Sequence, residues 1–168
     1  FTNDRVGLGF DNYLRQDGLT YRLVPVANSE VNRDWVFDKM MNKFAFGNCD
    51  KPGVFYDEEN RRHLNTIRLS FAEVASNLAD AGRKEDAKKI LERCDKNLLE
   101  VNFPYGMASR YQQHNYISLQ FLEAAYKAGD LALAEKVNKS VKKDLEQQIN
   151  FFSNLSENKQ EALRSDSD

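Results

Sequence analysis

Two stretches of this chain carry the same frame. Ala79-Asp80-Ala81-Gly82-Arg83-Lys84-Glu85-Asp86-Ala87 and Tyr126-Lys127-Ala128-Gly129-Asp130-Leu131-Ala132-Leu133-Ala134 each read as helix, glycine turn, helix, with an alanine five residues after the glycine. A glycine ends a helix in a left-handed backbone at little steric cost, and an alanine at a crossing lets two helices approach closely. The frame predicts a mainly α fold of tetratricopeptide-like helical hairpins, a short α-solenoid or right-handed superhelix. Hairpins of this kind build surfaces rather than reaction centres. The two frames lie 47 residues apart, whereas tetratricopeptide repeats recur at about 34. The surplus falls around Val101 to His114, where Pro104 and Gly106 mark a loop. Leu99 stands near the place of the repeat-closing proline, and Asn138 stands where a bulky residue is usual.

The apolar spacing supports the helices one by one. Leu64, Ile67, Phe71, Val74, Ala75 and Leu78 recur at three and four before Gly82. Ala87, Ile90, Leu91, Cys94 and Leu98 follow, then a break at Asn102-Phe103-Pro104-Tyr105-Gly106. Ile117, Phe121, Leu122 and Ala125 lead to Gly129, and Leu131, Ala134, Val137, Val141, Leu145, Ile149 and Phe152 form a nearly unbroken final seam. The first quarter reads differently. A short helix is predicted over Asp11 to Arg15, closed by Asp17-Gly18, then an extended edge-like strand over Leu19 to Val26 that Pro25 breaks. A helix over Arg33 to Phe44 places Trp35, Phe37, Met40, Met41 and Phe44 near one face, and a breaker-rich loop follows from Gly47 to Gly53. The organisation is a junction segment at 1–57, helical repeats at 58–155 and a polar, weakly helical tail at 156–168.

Charge and length narrow the function classes. The net charge is −2 with acids and bases interleaved, and the absence of a polybasic block argues against nucleic acid as a partner. No apolar run approaches the length of a membrane span. The chain begins at Phe1 rather than Met, which predicts a fragment or processed product of a longer protein. Of the two cysteines, Cys49 falls in a loop and Cys94 in a helix; they read as unrelated thiols, Cys94 a small core residue, with a disulfide left open for an oxidising compartment.

No catalytic, metal or cofactor site is predicted. His63 and His114 are the only histidines and form no ligand-spaced pair. Val6-Gly7-Leu8-Gly9 lacks the third glycine and the preceding strand of a nucleotide fingerprint. Asp57-Glu58-Glu59 suit the first turn of a helix, where carboxylates meet the positive end of the dipole. No serine stands in a nucleophile elbow. Asn138-Lys139-Ser140 and Asn154-Leu155-Ser156 match a glycosylation sequon, a string common by chance. The candidate ligand surface is Tyr105, Arg110, Tyr111, Gln112, Gln113 and Tyr116, because phenol rings beside amides and a guanidinium stack on and hydrogen-bond a sugar or a peptide. The other reading of the same residues is a loop pinned to the helices by its own aromatics.

Three longer strings carry a resemblance: Asp11-Asn12-Tyr13-Leu14-Arg15-Gln16-Asp17-Gly18-Leu19-Thr20-Tyr21-Arg22-Leu23-Val24-Pro25-Val26; Met40-Met41-Asn42-Lys43-Phe44 with Asp50-Lys51-Pro52-Gly53-Val54-Phe55-Tyr56-Asp57; and Asn102-Phe103-Pro104-Tyr105. From about Asp11 to Leu155 the chain resembles the C-terminal soluble region of a family of large bacterial membrane proteins, catalogued by an N-terminal domain of unknown function (number 2723). That family is related to protein O-mannosyltransferases. The resemblance implies a parent with many membrane spans of glycosyltransferase-C type that uses a lipid-linked sugar, its catalytic acid lying in the membrane part. No catalytic residue carries over to this chain. It implies a non-catalytic, periplasmic, tetratricopeptide-like interaction or scaffold domain, whose partners would be the parent's own membrane domain, an acceptor polypeptide or a glycan. The alternative is a glycan- or acceptor-binding domain that uses the aromatic loop from Tyr105 to Tyr116.

Overall fold

The computed structural model describes residues 9–156 and residue 159. The reading of Val6-Gly7-Leu8 and that of the polar tail, Ser156 and Lys159 apart, lie outside the described residues. A single 3-10 turn at Asp11–Tyr13 leads into β1 (Leu14–Asp17) and β2 (Thr20–Leu23). Among the described residues five α-helices follow: α1 (Arg33–Asn42), α2 (Glu58–Asp80), α3 (Lys84–Asn97), α4 (Gln113–Ala128) and α5 (Leu131–Ser153).

The first quarter corrects the sequence reading. The helical start stops at Tyr13, and Leu14–Asp17 is a strand paired antiparallel with Thr20–Leu23, Leu14 opposite Leu23 and Asp17 opposite Thr20. Asp17-Gly18 thus opens a hairpin turn and does not close a helix. Two forces favour the strand. Gln16 donates from its amide to Glu73 of α2 at 3.0 Å, and Asp17, buried, takes both Arg15 (3.0 Å) and Arg22 (2.7 Å). A helix over the same residues would separate Asp17 from Arg22. In α1 the residues that enter the core are Val36 and Met40, while Trp35 stays outside with the Lys39 ammonium 5.6 Å from its ring centre.

The helical part follows its apolar spacing. Asp57 caps α2 by accepting the Asn60 amide at 2.8 Å, with Glu58 and Glu59 in the first turn. The two glycine turns are built alike. Gly82 and Gly129 both have φ +79°. Gly82 N–H donates to Ala79 and Arg83 N–H to Leu78; forty-seven residues on, Gly129 N–H donates to Tyr126 and Asp130 N–H to Ala125. These are the bonds of a helix closed by a left-handed glycine. Ala87 and Ala134 are both fully buried. α2 packs most extensively against α4, then against α3; α4 packs on α5 and α3, and α1 lies on α2 and α3. The core collects Phe71, Ala75 and Leu78 of α2, Ile90, Leu91 and Cys94 of α3, Phe121 and Ala125 of α4, and Val137 of α5. Cys49 and Cys94 are both free thiols, and burial pushes Cys94 up to about 12.

Candidate functional site

The loop between α3 and α4 is held by a residue the apolar pattern conceals. Arg68 stands four residues after Leu64 and three before Phe71, on the buried stripe of α2, and is 1% exposed. Its guanidinium lies between two rings of the loop, 4.2 Å from the centre of Phe103 and 4.4 Å from that of Tyr105. One terminal nitrogen donates to the Phe103 carbonyl at 2.8 Å; the other donates to the Pro104 carbonyl and the Ser118 hydroxyl, each at 3.2 Å. Among the described residues no carboxylate bonds it. Burial lowers its pKa, yet a guanidinium stays protonated, so its charge is met by carbonyl dipoles and ring faces. An arginine on an otherwise apolar stripe is the signal by which sequence reading could have found this pin.

His114 completes the arrangement. Its Nε2 is 2.8 Å from the Pro104 carbonyl, which fixes that nitrogen as the donor and leaves Nδ1 an acceptor with no hydrogen-bond partner. Burial, then the neighbouring Arg68 charge, lower its pKa to about 4, so the ring is neutral at neutral pH. On its far side the loop lies against α5. Gly106 N–H donates to Ser140 Oγ at 3.1 Å, and a Cβ built at Gly106 would stand 2.2 Å from the Ser140 carbonyl oxygen. Only the missing side chain permits that approach.

The six residues of the candidate surface therefore divide. Tyr105 is 2% exposed, its ring on Arg68 and its hydroxyl donating to Asp95 at 2.8 Å, where Lys136 also binds at 2.6 Å. Burial raises its phenol well above the ordinary value. It does not share a pocket wall with Tyr111 and Tyr116, which stand out in solvent, Tyr111 78% exposed. Arg110 lies over the Tyr111 ring at 4.9 Å and donates to its hydroxyl at 3.1 Å. Gln112 bonds Gln148 of α5 at 2.7 Å, and Gln113, the first residue of α4, is exposed. Tyr111 and Gln112 hold φ of 54° and 52°, a left-handed pair in residues that rarely adopt it.

Several clefts lie beside this scaffold, one of about 390 Å³ where the loop at Pro104 and Gly106 meets Lys136, Lys139 and Lys143 of α5. A polar groove of about 310 Å³ runs between α2 and α4, lined by Glu73, Ser76 and Asp80 on one side and Gln120, Glu123 and Lys127 on the other. Lys127 bridges it, 3.3 Å from Asp80 and 3.5 Å from Glu123. An apolar cleft of about 400 Å³ lies where Leu19 and Phe44 meet the outer side of α2 at His63 and Ile67. Among the described residues no three His, Cys, Asp or Glu side chains gather to hold a metal ion. No described helix is long and apolar enough to cross a membrane. Comparison with protein-family models, curated proteins and solved structures gives no match.

Proposed function

We propose that this chain is a non-catalytic interaction module of two tetratricopeptide-like hairpins, serving as the extracytoplasmic scaffold domain of a multi-spanning, glycosyltransferase-like membrane protein. The repeat reading rests on the two glycine turns with the same hydrogen bonds and on the contact of α2 with α4, as between successive first helices of stacked hairpins. The observation that carries the binding role is the groove between those two helices, where among the described lining residues the carboxylates of Asp80 and Glu123 share the single ammonium of Lys127. An extended acceptor polypeptide with basic side chains suits it, since opposite charge steers encounter and fixes register. Titration with an unstructured, lysine-containing peptide tests this. Binding should weaken at least tenfold in the Asp80→Lys, Glu123→Lys double variant; equal binding by both proteins refutes the groove. The membrane attachment is tested in the reading frame ahead of Phe1, where a series of hydrophobic spans supports it.

A second reading has its own observation. The left-handed backbone at Tyr111 and Gln112 costs free energy, and strain of that kind clusters at ligand sites. It presents an exposed ring backed by a guanidinium, a platform on which a sugar face stacks. Titration with mannose-type oligosaccharides separates the two readings: binding that Tyr111→Ala removes favours the glycan site.

A further inference from the structure

We infer that the cleft between the α3–α4 loop and α5 is a binding site for the phosphate group of a small hydroxylated ester. It is separate from the α2–α4 groove and does not depend on it. The sequence sets it up. Lys136, Lys139 and Lys143 follow one another at three and four, so they share one face of α5. All three line the cleft of about 390 Å³ opposite Pro104 and Gly106, a size that suits a small ligand. The loop forms the far wall because Gly106, with no side chain, fits against the Ser140 carbonyl.

The charges and donors select the ligand. Among the described residues no carboxylate pairs with Lys139 or Lys143, although the two stand one turn apart, a spacing at which like charges repel. Beside them Ser140 accepts the Gly106 N–H at 3.1 Å, and its own hydroxyl hydrogen meets no acceptor among the described residues. Two rotatable ammoniums and a hydroxyl are donors that one tetrahedral oxyanion takes together. Asp144 lines the same end, where it accepts the amides of Asn115 at 2.8 Å and Gln148 at 2.6 Å. Set against two ammoniums, its carboxylate leaves a surplus of positive charge, which favours an anion over a neutral ligand. The end at Lys136 differs. That ammonium is shared by Asp95 at 2.6 Å and Glu100 at 3.9 Å. Excess carboxylate there accepts the hydroxyl groups of the ester's alcohol and refuses a second anion. Two turns of helix, ~10 Å, separate Lys136 from Lys143, so the site reads a phosphate at one end and hydroxyls at the other.

Two titrations test this: glycerol phosphate, followed by amide shifts of the isotope-labelled chain, and flotation with phosphatidylglycerol vesicles diluted in phosphatidylcholine. The Gly106 and Ser140 amides should shift with glycerol phosphate at millimolar concentration and not with glycerol alone. The Lys139→Gln, Lys143→Gln double variant, altered at exposed positions and checked for unchanged helical circular dichroism, should bind at least tenfold more weakly. Lys89→Gln, Lys142→Gln removes the same charge from lysines outside the cleft and should bind as the wild type does. Binding of glycerol phosphate marks a free ester as the ligand, and binding of vesicles alone marks a lipid headgroup on the same lysines. Binding of neither overturns the inference. Equal loss in the two double variants overturns it as well, because the attraction would then belong to overall charge and not to the cleft.

Discussion

Replacing Arg68 by methionine is the sharpest test of how the fold is held, because opposing effects of similar size meet there. The substitution keeps an unbranched apolar stem and removes the charge and three donated hydrogen bonds, to Phe103 O, Pro104 O and Ser118 Oγ. The Pro104 carbonyl retains His114 Nε2 at 2.8 Å. The Phe103 carbonyl loses its guanidinium donor, and a buried polar group left without a partner costs about 1–3 kcal/mol. Two desolvated ring contacts go as well, each worth up to ~2 kcal/mol. Against this, methionine needs no buried charge, and the desolvation of an ion takes back several kcal/mol of such gains. The three hydrogen bonds and two ring faces around the guanidinium tip the balance, and the expected net loss is about 3 kcal/mol. For a chain of this size that lowers Tm by roughly 6–12 °C. Urea and thermal unfolding followed by circular dichroism measure it. Wild-type or greater stability in Arg68→Met would refute the reasoning, since it would mean that desolvation outweighs every contact the cation makes. Arg68→Lys should also destabilise, because a point ammonium cannot lie flat between two rings and span both carbonyls.

Gly106→Ala should cost about 1–3 kcal/mol, because its new methyl would overlap the Ser140 backbone; an unchanged Tm would mean that the loop shifts freely on α5. Gly82→Val should cost on the order of 1 kcal/mol or more, read from the urea midpoint, since valine resists the left-handed backbone at φ +79°. Ala87→Trp should unfold the protein or nearly so, because the residue is fully buried, and loss of far-ultraviolet helical signal checks it. Stability should also fall in mild acid. An unfolded His114 takes its proton near pH 6.5 and the folded one only near 4, so between these values the unfolded state binds more protons. The His114 contribution is therefore complete above pH 6.5 and declines as pH drops toward 4, by ~1.4 kcal/mol per pH unit and ~3 kcal/mol in all. Urea titrations at several pH values should give a shallower acid slope for His114→Gln than for the wild type; equal slopes would assign the effect to other groups.

The four long helices were legible because three independent signals agreed: apolar residues at three and four, glycine at each turn, and alanine just beyond it. The hairpin of β1 and β2 was not, because Asp17-Gly18 stops a helix as readily as it turns a hairpin. The choice falls to Glu73, fifty-seven residues from Gln16, which local patterning cannot see. The candidate surface was legible in part. Tyr105, Tyr111 and Tyr116 look alike in sequence, and what separates them is Arg68, which draws Tyr105 inward as a ring partner. Trp35 and Val36 pose the same difficulty in α1, where the larger apolar side chain stays out because cations lie at its ring.

The same pin governs what the molecule has left for recognition. The loop between α3 and α4 spends two of its aromatics, Phe103 and Tyr105, on the interior and leaves the ring of Tyr111 in solvent. A buried guanidinium is tolerated only while its partners stay in place. Those partners come from the loop at Phe103 to Tyr105 and from α4 at Ser118, while Arg68 belongs to α2. Displacing any one of the three elements strips donors or acceptors from the cation. Arg68 thus ties α2 to α4 at Ser118, the same two helices whose Asp80, Glu123 and Lys127 line the groove. To the extent that this tie holds the two helices in place, the proposed groove would lose less conformational freedom on binding, and its affinity would rest on how well an occupant matches its charges.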